Sequence, residues 1–234
     1  MKIKSNSLLL TLSWFADRIQ YELDTCTACG SFSKGDSLFC AICEIQLLKL
    51  RNESKERSIT FENLNTEIPV NSVFPWNPQQ SDGLSSLLLK LKGCRREAPY
   101  RYWARQILLE RIQNSIFLED PETILIPSPA RNKEQQDHAY KLTKALSDMT
   151  GWRLHNPLVR DNVGTQKTRN LSQRRRIRLG NPEKFTTSQP IIFVDDVVTT
   201  GATAIAAYRS LGCPKNFEVW CLAYRGSLAS LSLE

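Results

Sequence analysis

Ile191-Ile192-Phe193-Val194-Asp195-Asp196-Val197-Val198-Thr199-Thr200-Gly201-Ala202-Thr203 is the stretch on which the fold turns. Four apolar residues run into two adjacent carboxylates. Two more apolar residues follow, and a small, hydroxyl-rich turn with one glycine closes the segment. An apolar, β-branched run of this kind predicts a buried strand of a parallel sheet. The residues after Gly201 are rich in helix formers and stop at Gly212, a residue suited to a helix C-terminus. The expected order is strand, acidic loop, helix. Thr199, Thr200, Gly201, Ala202 and Thr203 then offer backbone N–H groups and hydroxyls at a helix N-terminus, which is a phosphate cradle. Asp195 and Asp196 fall at the C-terminal end of the strand, where open α/β sheets bind ligands.

A pair of anions beside a phosphate grip needs a reason, because like charges repel. Two partners supply one: the vicinal hydroxyls of a ribose, or a hydrated Mg²⁺. A ribose 5-phosphate carrying a second, Mg²⁺-bound phosphate group satisfies both. The segment from Ile191 to Thr203 resembles the phosphoribosyl-pyrophosphate (PRPP) motif of type I phosphoribosyltransferases, with apolar context, acid pair, glycine and threonines in order. The alternative is a strand whose acid pair merely caps the next helix; the strand–loop–helix context decides between them.

A second pattern lies near the N-terminus. Cys26-Thr27-Ala28-Cys29 and Cys40-Ala41-Ile42-Cys43 are two C-x-x-C knuckles separated by ten residues. This spacing fits a closed tetrahedral zinc site with four cysteine ligands. Gly30 and Gly35-Asp36 suit the turns it requires. Four thiolates leave no open coordination position, so the expected Zn²⁺ is structural and fixes a module too small to form its own core. The competing reading, two disulfides, needs an oxidising compartment. A site for a cytosolic metabolite argues against that and for a cytoplasmic protein. Cys94, Cys213 and Cys221 lack paired spacing and read as small buried hydrophobes.

The chain has 234 residues, enough for one α/β domain and a small appended module. No run of eighteen apolar residues exists, which excludes a membrane-spanning helix by hydropathy. The first residues superficially suggest a signal peptide, but Asp17-Arg18 stands where a cleavage site belongs. Leu8, Leu12, Phe15 and Ile19 instead recur at helical spacing and predict an amphipathic helix. The net charge of +7 is concentrated. Arg153, Arg160, Lys167, Arg169, Arg174, Arg175, Arg176 and Arg178 face one acid, Asp161, between residues 151 and 180. A second cluster, Lys90, Lys92, Arg95, Arg96, Arg101 and Arg105, has Tyr100, Tyr102 and Trp103 among it. Such runs are commonly solvated faces, yet two of them beside a phosphate site point to a polyanion. Interleaved aromatics and arginines suit single-stranded nucleic acid. Tyr100, Trp103 and Ile107 equally fit one core-facing helix stripe.

Short helices are expected at 44–50 and 84–91, and longer ones at 100–117 and 135–149. Strands are expected at 123–126, 154–159, 190–194 and 217–223. Residues 51–80 read as a linker or irregular hairpin, with a short edge strand at 72–76. Alternating strands and helices imply a parallel sheet. The expected organisation is an N-terminal helix and four-cysteine finger over residues 1–50, a linker or hairpin over 51–83, and a phosphoribosyltransferase-like domain over 84–234.

The knuckle pair, Leu88-Leu89-Lys90-Leu91-Lys92-Gly93, the Ile126-Pro127-Ser128-Pro129 loop and the C-terminal acid-pair motif together resemble the ComF family. That family is known from bacterial DNA uptake in natural transformation and joins a zinc finger to a type I phosphoribosyltransferase-like domain. The resemblance implies that Asp195 and Asp196 hold ribose hydroxyls and, through water, Mg²⁺. Val197 and Val198 lead into Thr199 to Thr203, which would bind the 5-phosphate. The loop from Ile126 to Arg131 would contact pyrophosphate through Ser128, with Arg131 or Lys133 neutralising charge. Arg160 and Gln166-Lys167 fall where the family has a flexible loop, and Arg176 or Arg178, Asn181 and Phe185 where it has a later Arg, Asn and Phe. One departure stands out. Glu134, Gln135, Gln136, Asp137, His138 and Ala139 occupy positions where the family has Arg-Gly-Phe-Asn, then Gln or His, then Ala. A carboxylate at Glu134 opposes pyrophosphate, and Gln135 removes a glycine.

Two functions follow. The preferred one is an accessory protein of DNA uptake that binds single-stranded DNA and acts with a DNA translocase or helicase. The other is an active phosphoribosyltransferase that moves phosphoribose from PRPP to a nucleobase or amine with Mg²⁺. No general base is evident: His138 and His155 sit in no catalytic pattern and read as surface or satisfied histidines.

Overall fold

The structure, a computed structural model, describes residues 26, 39–52, 57–61, 66–76, 82–93, 97–112, 120–130, 137–160 and 177–225. The segments 1–25, 113–119, 131–136, 161–176 and 226–234 are among those outside it, so the expected N-terminal helix is not addressed.

Six strands form one sheet. In chain order the elements are helix α1 (Ala41–Asn52), strands β1 (Arg57–Phe61) and β2 (Thr66–Pro75), and helices α2 (Asp82–Gly93) and α3 (Ala98–Ile112). Next come β3 (Ile124–Pro127), α4 (His138–Thr150), β4 (Arg153–Leu154), β5 (Val159–Arg160) and β6 (Leu179–Gly180). The chain continues through β7 (Ile191–Val198), α5 (Ala202–Ser210) and β8 (Phe217–Tyr224). The sheet order is β1-β2-β8-β7-β3-β4. β1 is antiparallel to β2, and every other neighbouring pair is parallel. β5 and β6 form a separate antiparallel ribbon. The expected parallel sheet flanked by helices is therefore present.

β7 is apolar on both sides because both faces of the sheet are covered. Ile192 and Val194 join a core with Leu142, Leu146, Trp152, Trp103 and Trp220, supplied largely by α2, α3 and α4. Ile191 and Phe193 join a second core with Ala204, Ala207 and Tyr208 of α5. Past the acid pair the alternation slips: Val197 packs with the first core and Val198 with the second. α5 ends as the sequence implies. Gly212 takes φ +81, its N–H donates to the Arg209 carbonyl, and Cys213 N–H donates to the Tyr208 carbonyl. Those are the two hydrogen bonds of a Schellman C-terminus.

Two expectations need correction. The segment read as a linker or irregular hairpin is the β1–β2 hairpin, but the strand expected at its end is no edge strand: β2 lies inside the sheet, in register with β8 through Val70↔Val219 and Phe74↔Ala223. The signal was hidden by Pro69 and Pro75 and by a polar residue, Asn71, that serves the core. Asn71 Nδ2 donates to Glu218 Oε2 at 2.9 Å, Trp220 Nε1 donates to the same oxygen at 2.9 Å, and Arg111 donates to Asn71 Oδ1. Burial pushes the Glu218 carboxyl up, against those hydrogen bonds and the nearby guanidinium. The second correction concerns the single strand expected at 154–159. Those residues instead end β4 and begin β5, which belong to different sheets. Of the two readings of Tyr100 and Trp103, the core-facing stripe is the one present: they are only 2% and 1% exposed and form no stacking platform for bases. Tyr100 Oη donates to the Leu91 carbonyl at 2.8 Å, and Trp103 packs on Phe39, Phe74 and Tyr102 with ring centroids 5.0–5.6 Å apart.

Candidate ribose-phosphate site

Parallel pairing of β3 with β7 builds the site. Pro127 stands opposite Val194, and Ser128 N–H donates to the Val194 carbonyl at 2.8 Å. This register carries the end of β3 alongside the acid pair. Ser128 is buried, and its hydroxyl hydrogen-bonds the Asp195 carboxylate. The acid pair itself lies within β7 and not in a loop beyond it, which corrects the sequence reading. Asp196 is only 5% exposed, and its N–H donates to Asp195 Oδ1 at 2.9 Å. Burial, followed by the neighbouring Asp196 charge, pushes the Asp195 carboxyl well above the ordinary carboxylate range. Adjacent carboxylates repel, so ionising both is costly.

His138 is the residue that sequence reasoning missed. It opens α4, whose Leu142 and Leu146 pack beneath the sheet, so helix docking drives its ring against β7. Its Nε2 lies 3.2 Å from Asp196 Oδ1, and its Nδ1 meets Asp137 Oδ1. Asp137 is also the helix N-cap and accepts the His138 backbone N–H at 2.6 Å. Burial alone would lower the imidazolium pKa; the Asp137 and Asp196 carboxylates outweigh it and raise it to about 9. Against the opposing effect of burial, the same ring holds Asp137 below its ordinary value. The available signal was Asp137-His138 beside a helix start, in the very segment that departs from the family pattern.

The turn after β7 has the expected shape. Thr199 and Thr200 are exposed, Gly201 adopts φ 72 as the N-cap of α5, and Ala202 N–H points to Thr200 Oγ1 at 3.4 Å. The left-handed φ explains the glycine, since other residues enter that region at a cost. Thr203 stands in the first helical turn and is half-buried. Arg160 Nε donates to the Pro129 carbonyl at 2.9 Å, which ties β5 to the loop after β3. The structure thus brings together Ser128, Arg160 and the segment 195–203. Arg131, Lys133, Glu134, Gln135, Gln166, Lys167 and Arg176 lie outside the described residues. Asn181 and Phe185 make a tethered turn: Asn181 Nδ2 donates to the Phe185 carbonyl at 2.8 Å and to the Ser210 carbonyl at 3.1 Å. Arg178 is exposed.

A second constellation is separate. The sulfurs of Cys26, Cys40 and Cys43 lie within 4.8 Å of one another. Sulfurs around a tetrahedral zinc stand about 3.8 Å apart, given Zn–S bonds near 2.3 Å, so this donor set fits three corners of such a site. Cys40 directly precedes α1 and its carbonyl accepts the Glu44 N–H at 3.0 Å, so the second knuckle straddles a helix N-terminus that favours thiolates. The three cysteines could hold a metal ion such as zinc. Cys29 lies outside the described residues.

No protein-family model matches the chain, and no curated protein matches it. Solved structures that resemble it weakly include three phosphoribosyltransferases. An adenine phosphoribosyltransferase is 14% identical, with 80% of this chain and 95% of that chain covered and a TM-score of 0.35. An orotate phosphoribosyltransferase from Aeropyrum pernix is 14% identical, with coverage of 82% and 89% and a TM-score of 0.36. The adenine phosphoribosyltransferase of Leishmania tarentolae is 15% identical, with coverage of 76% and 86% and a TM-score of 0.32. Likenesses this low establish neither family nor function, and the fold rests on the strand order itself. Among the described residues no helix is long and apolar enough to cross a membrane.

Proposed function

We propose that this chain binds a ribose 5-phosphate ligand of the PRPP class at the C-terminal ends of β3 and β7. The observation that carries the reading is the meeting of Ser128, Asp195 and Asp196 just before a helix whose N-cap is the left-handed Gly201. The N-terminal turn of α5, with Thr199, Thr200 and Thr203, receives the 5-phosphate. The carboxylates accept hydrogen bonds from the ribose hydroxyls. Carboxylate and hydroxyl oxygens are the donors that Mg²⁺ takes through water; bound there, the ion would neutralise charge on a pyrophosphate group. If the chain transfers phosphoribose, the C1–oxygen bond to pyrophosphate breaks and a bond from C1 to an acceptor nitrogen forms. The acid pair stabilises the positive charge that develops on the ribose ring.

A role in DNA uptake, with single-stranded DNA and a translocase as partners, rests on the ComF resemblance and on exposed cations such as Arg101, Arg105, Arg153 and Arg178. With Tyr100 and Trp103 in the core, those cations support charge attraction without stacking, so the phosphoribosyl reading is the better supported. Calorimetric titration with PRPP and Mg²⁺, repeated with a short single-stranded oligonucleotide, tests both. Micromolar PRPP binding is the expected result. Tight, salt-dependent oligonucleotide binding with no PRPP binding overturns it in favour of a nucleic-acid platform.

A further inference from the structure

We propose that His138 is a positioning residue for the ribose: it holds Asp196 in place for the ribose hydroxyls and yields that carboxylate to them when ligand enters. The inference rests on the ribose-phosphate reading above and adds a residue to that site. Three observations carry it. The ring is locked from behind, because one Asp137 carboxylate takes both the His138 backbone N–H and Nδ1. Its Nε2 is thereby aimed at Asp196 Oδ1, 3.2 Å away. Asp196 is buried at the end of a strand, where a bare carboxylate beside Asp195 would be costly to hold.

The arrangement also answers an electrostatic difficulty. A polyanionic ligand must approach two aspartates. Nε2 of His138 lies 3.2 Å from Asp196 Oδ1 and the Ser128 hydroxyl bonds the Asp195 carboxylate, so each aspartate has a protein partner of its own. His138 so performs for Asp196 what a ribose or a hydrated cation performs when bound. Its position at the first residue of α4 lets the ring release Asp196 without moving the helix, since Asp137 keeps its own hold.

Ribose 5-phosphate, which lacks the pyrophosphate, is the probe. It is titrated into the wild-type protein and into His138→Ala and His138→Gln. Ring ¹⁵N resonances are followed in parallel; the chain has 2 histidines, so His155 serves as the internal reference. The expected result is that His138→Ala weakens binding at least about tenfold and that His138→Gln, which can still donate to Asp196, restores most of it. In the wild-type protein the His138 Nε2 resonance moves on saturation while Nδ1 stays. Equal affinity in His138→Ala, with wild-type binding intact, overturns the role of His138 alone, as does an Nε2 resonance unmoved by ligand. Absence of binding to the wild-type protein overturns the site reading and this inference together.

Discussion

At the scale of single residues the site is a problem in burying charge. Asp195 and Asp196 are adjacent, the first half-buried and the second buried, and are served by Ser128 on one side and His138 on the other. Replacing both by asparagine preserves shape, removes the negative charge and turns one oxygen of each side chain into a donor. Asp195→Asn with Asp196→Asn is expected to abolish ribose 5-phosphate binding while leaving the circular dichroism spectrum native; unchanged affinity by calorimetry would remove the site assignment. His138 gives a pH signature. Its folded pKa, near 9, stands above the ordinary 6.5, so the folded state binds the proton more tightly. The stabilisation is fully present below about pH 6.5 and is lost as pH rises towards 9. Allowing for the ring's partial exposure, it amounts to on the order of 2 kcal/mol. Urea midpoints should fall across that window in the wild-type protein and stay flatter in His138→Gln. A parallel fall in both proteins would assign the pH dependence elsewhere.

At the scale of elements, what the sequence made legible was whatever local chemistry decides. The β7–α5 unit and its Gly212 terminus follow from an apolar run, a small-residue turn and a glycine, all of which act within a few residues. The inner place of β2 was hidden because its burial is decided from afar. Asn71 reads as polar in sequence, yet Glu218 on β8 and Arg111 on α3 satisfy it inside the core. His138 was hidden for the same reason, since its partner Asp196 lies on another element. The end of β7 was set four residues too early because carboxylates seldom continue a strand, and here a histidine and a serine from neighbouring elements partner them. Gly201 tests the local part of this account. At φ 72 an alanine there costs about 1 kcal/mol or more and tilts the turn that presents the N–H groups. Gly201→Ala is expected to lower the denaturation midpoint modestly and to weaken ribose 5-phosphate binding by a larger factor. An unaltered affinity would mean that the helix N-terminus does not touch the phosphate.

At the scale of the whole molecule the cysteine cluster and the sheet are not independent. Cys26, Cys43, Phe39 and Leu47 are buried in the same core as Phe74, Trp103 and Trp220. Phe39 lies edge-on to Tyr102 at 5.6 Å and against Trp103 at 5.6 Å. The cysteine cluster therefore shares the core of the α/β body, and a metal held by the cysteines would order one wall of that body. A free-standing finger would lose metal without consequence for the sheet. Here Cys26→Ser should release the metal and also lower the melting temperature of the transition reported by Trp103 and Trp220 fluorescence, with chelator reproducing the shift in the wild-type protein. The acid pair and His138 stand at the strand ends, apart from that wall, so ribose 5-phosphate affinity at low temperature should survive the substitution. A wild-type protein free of metal by elemental analysis would refute the metal site. A normal melting curve in a metal-free variant would show that aromatic packing around Phe39 holds the module unaided.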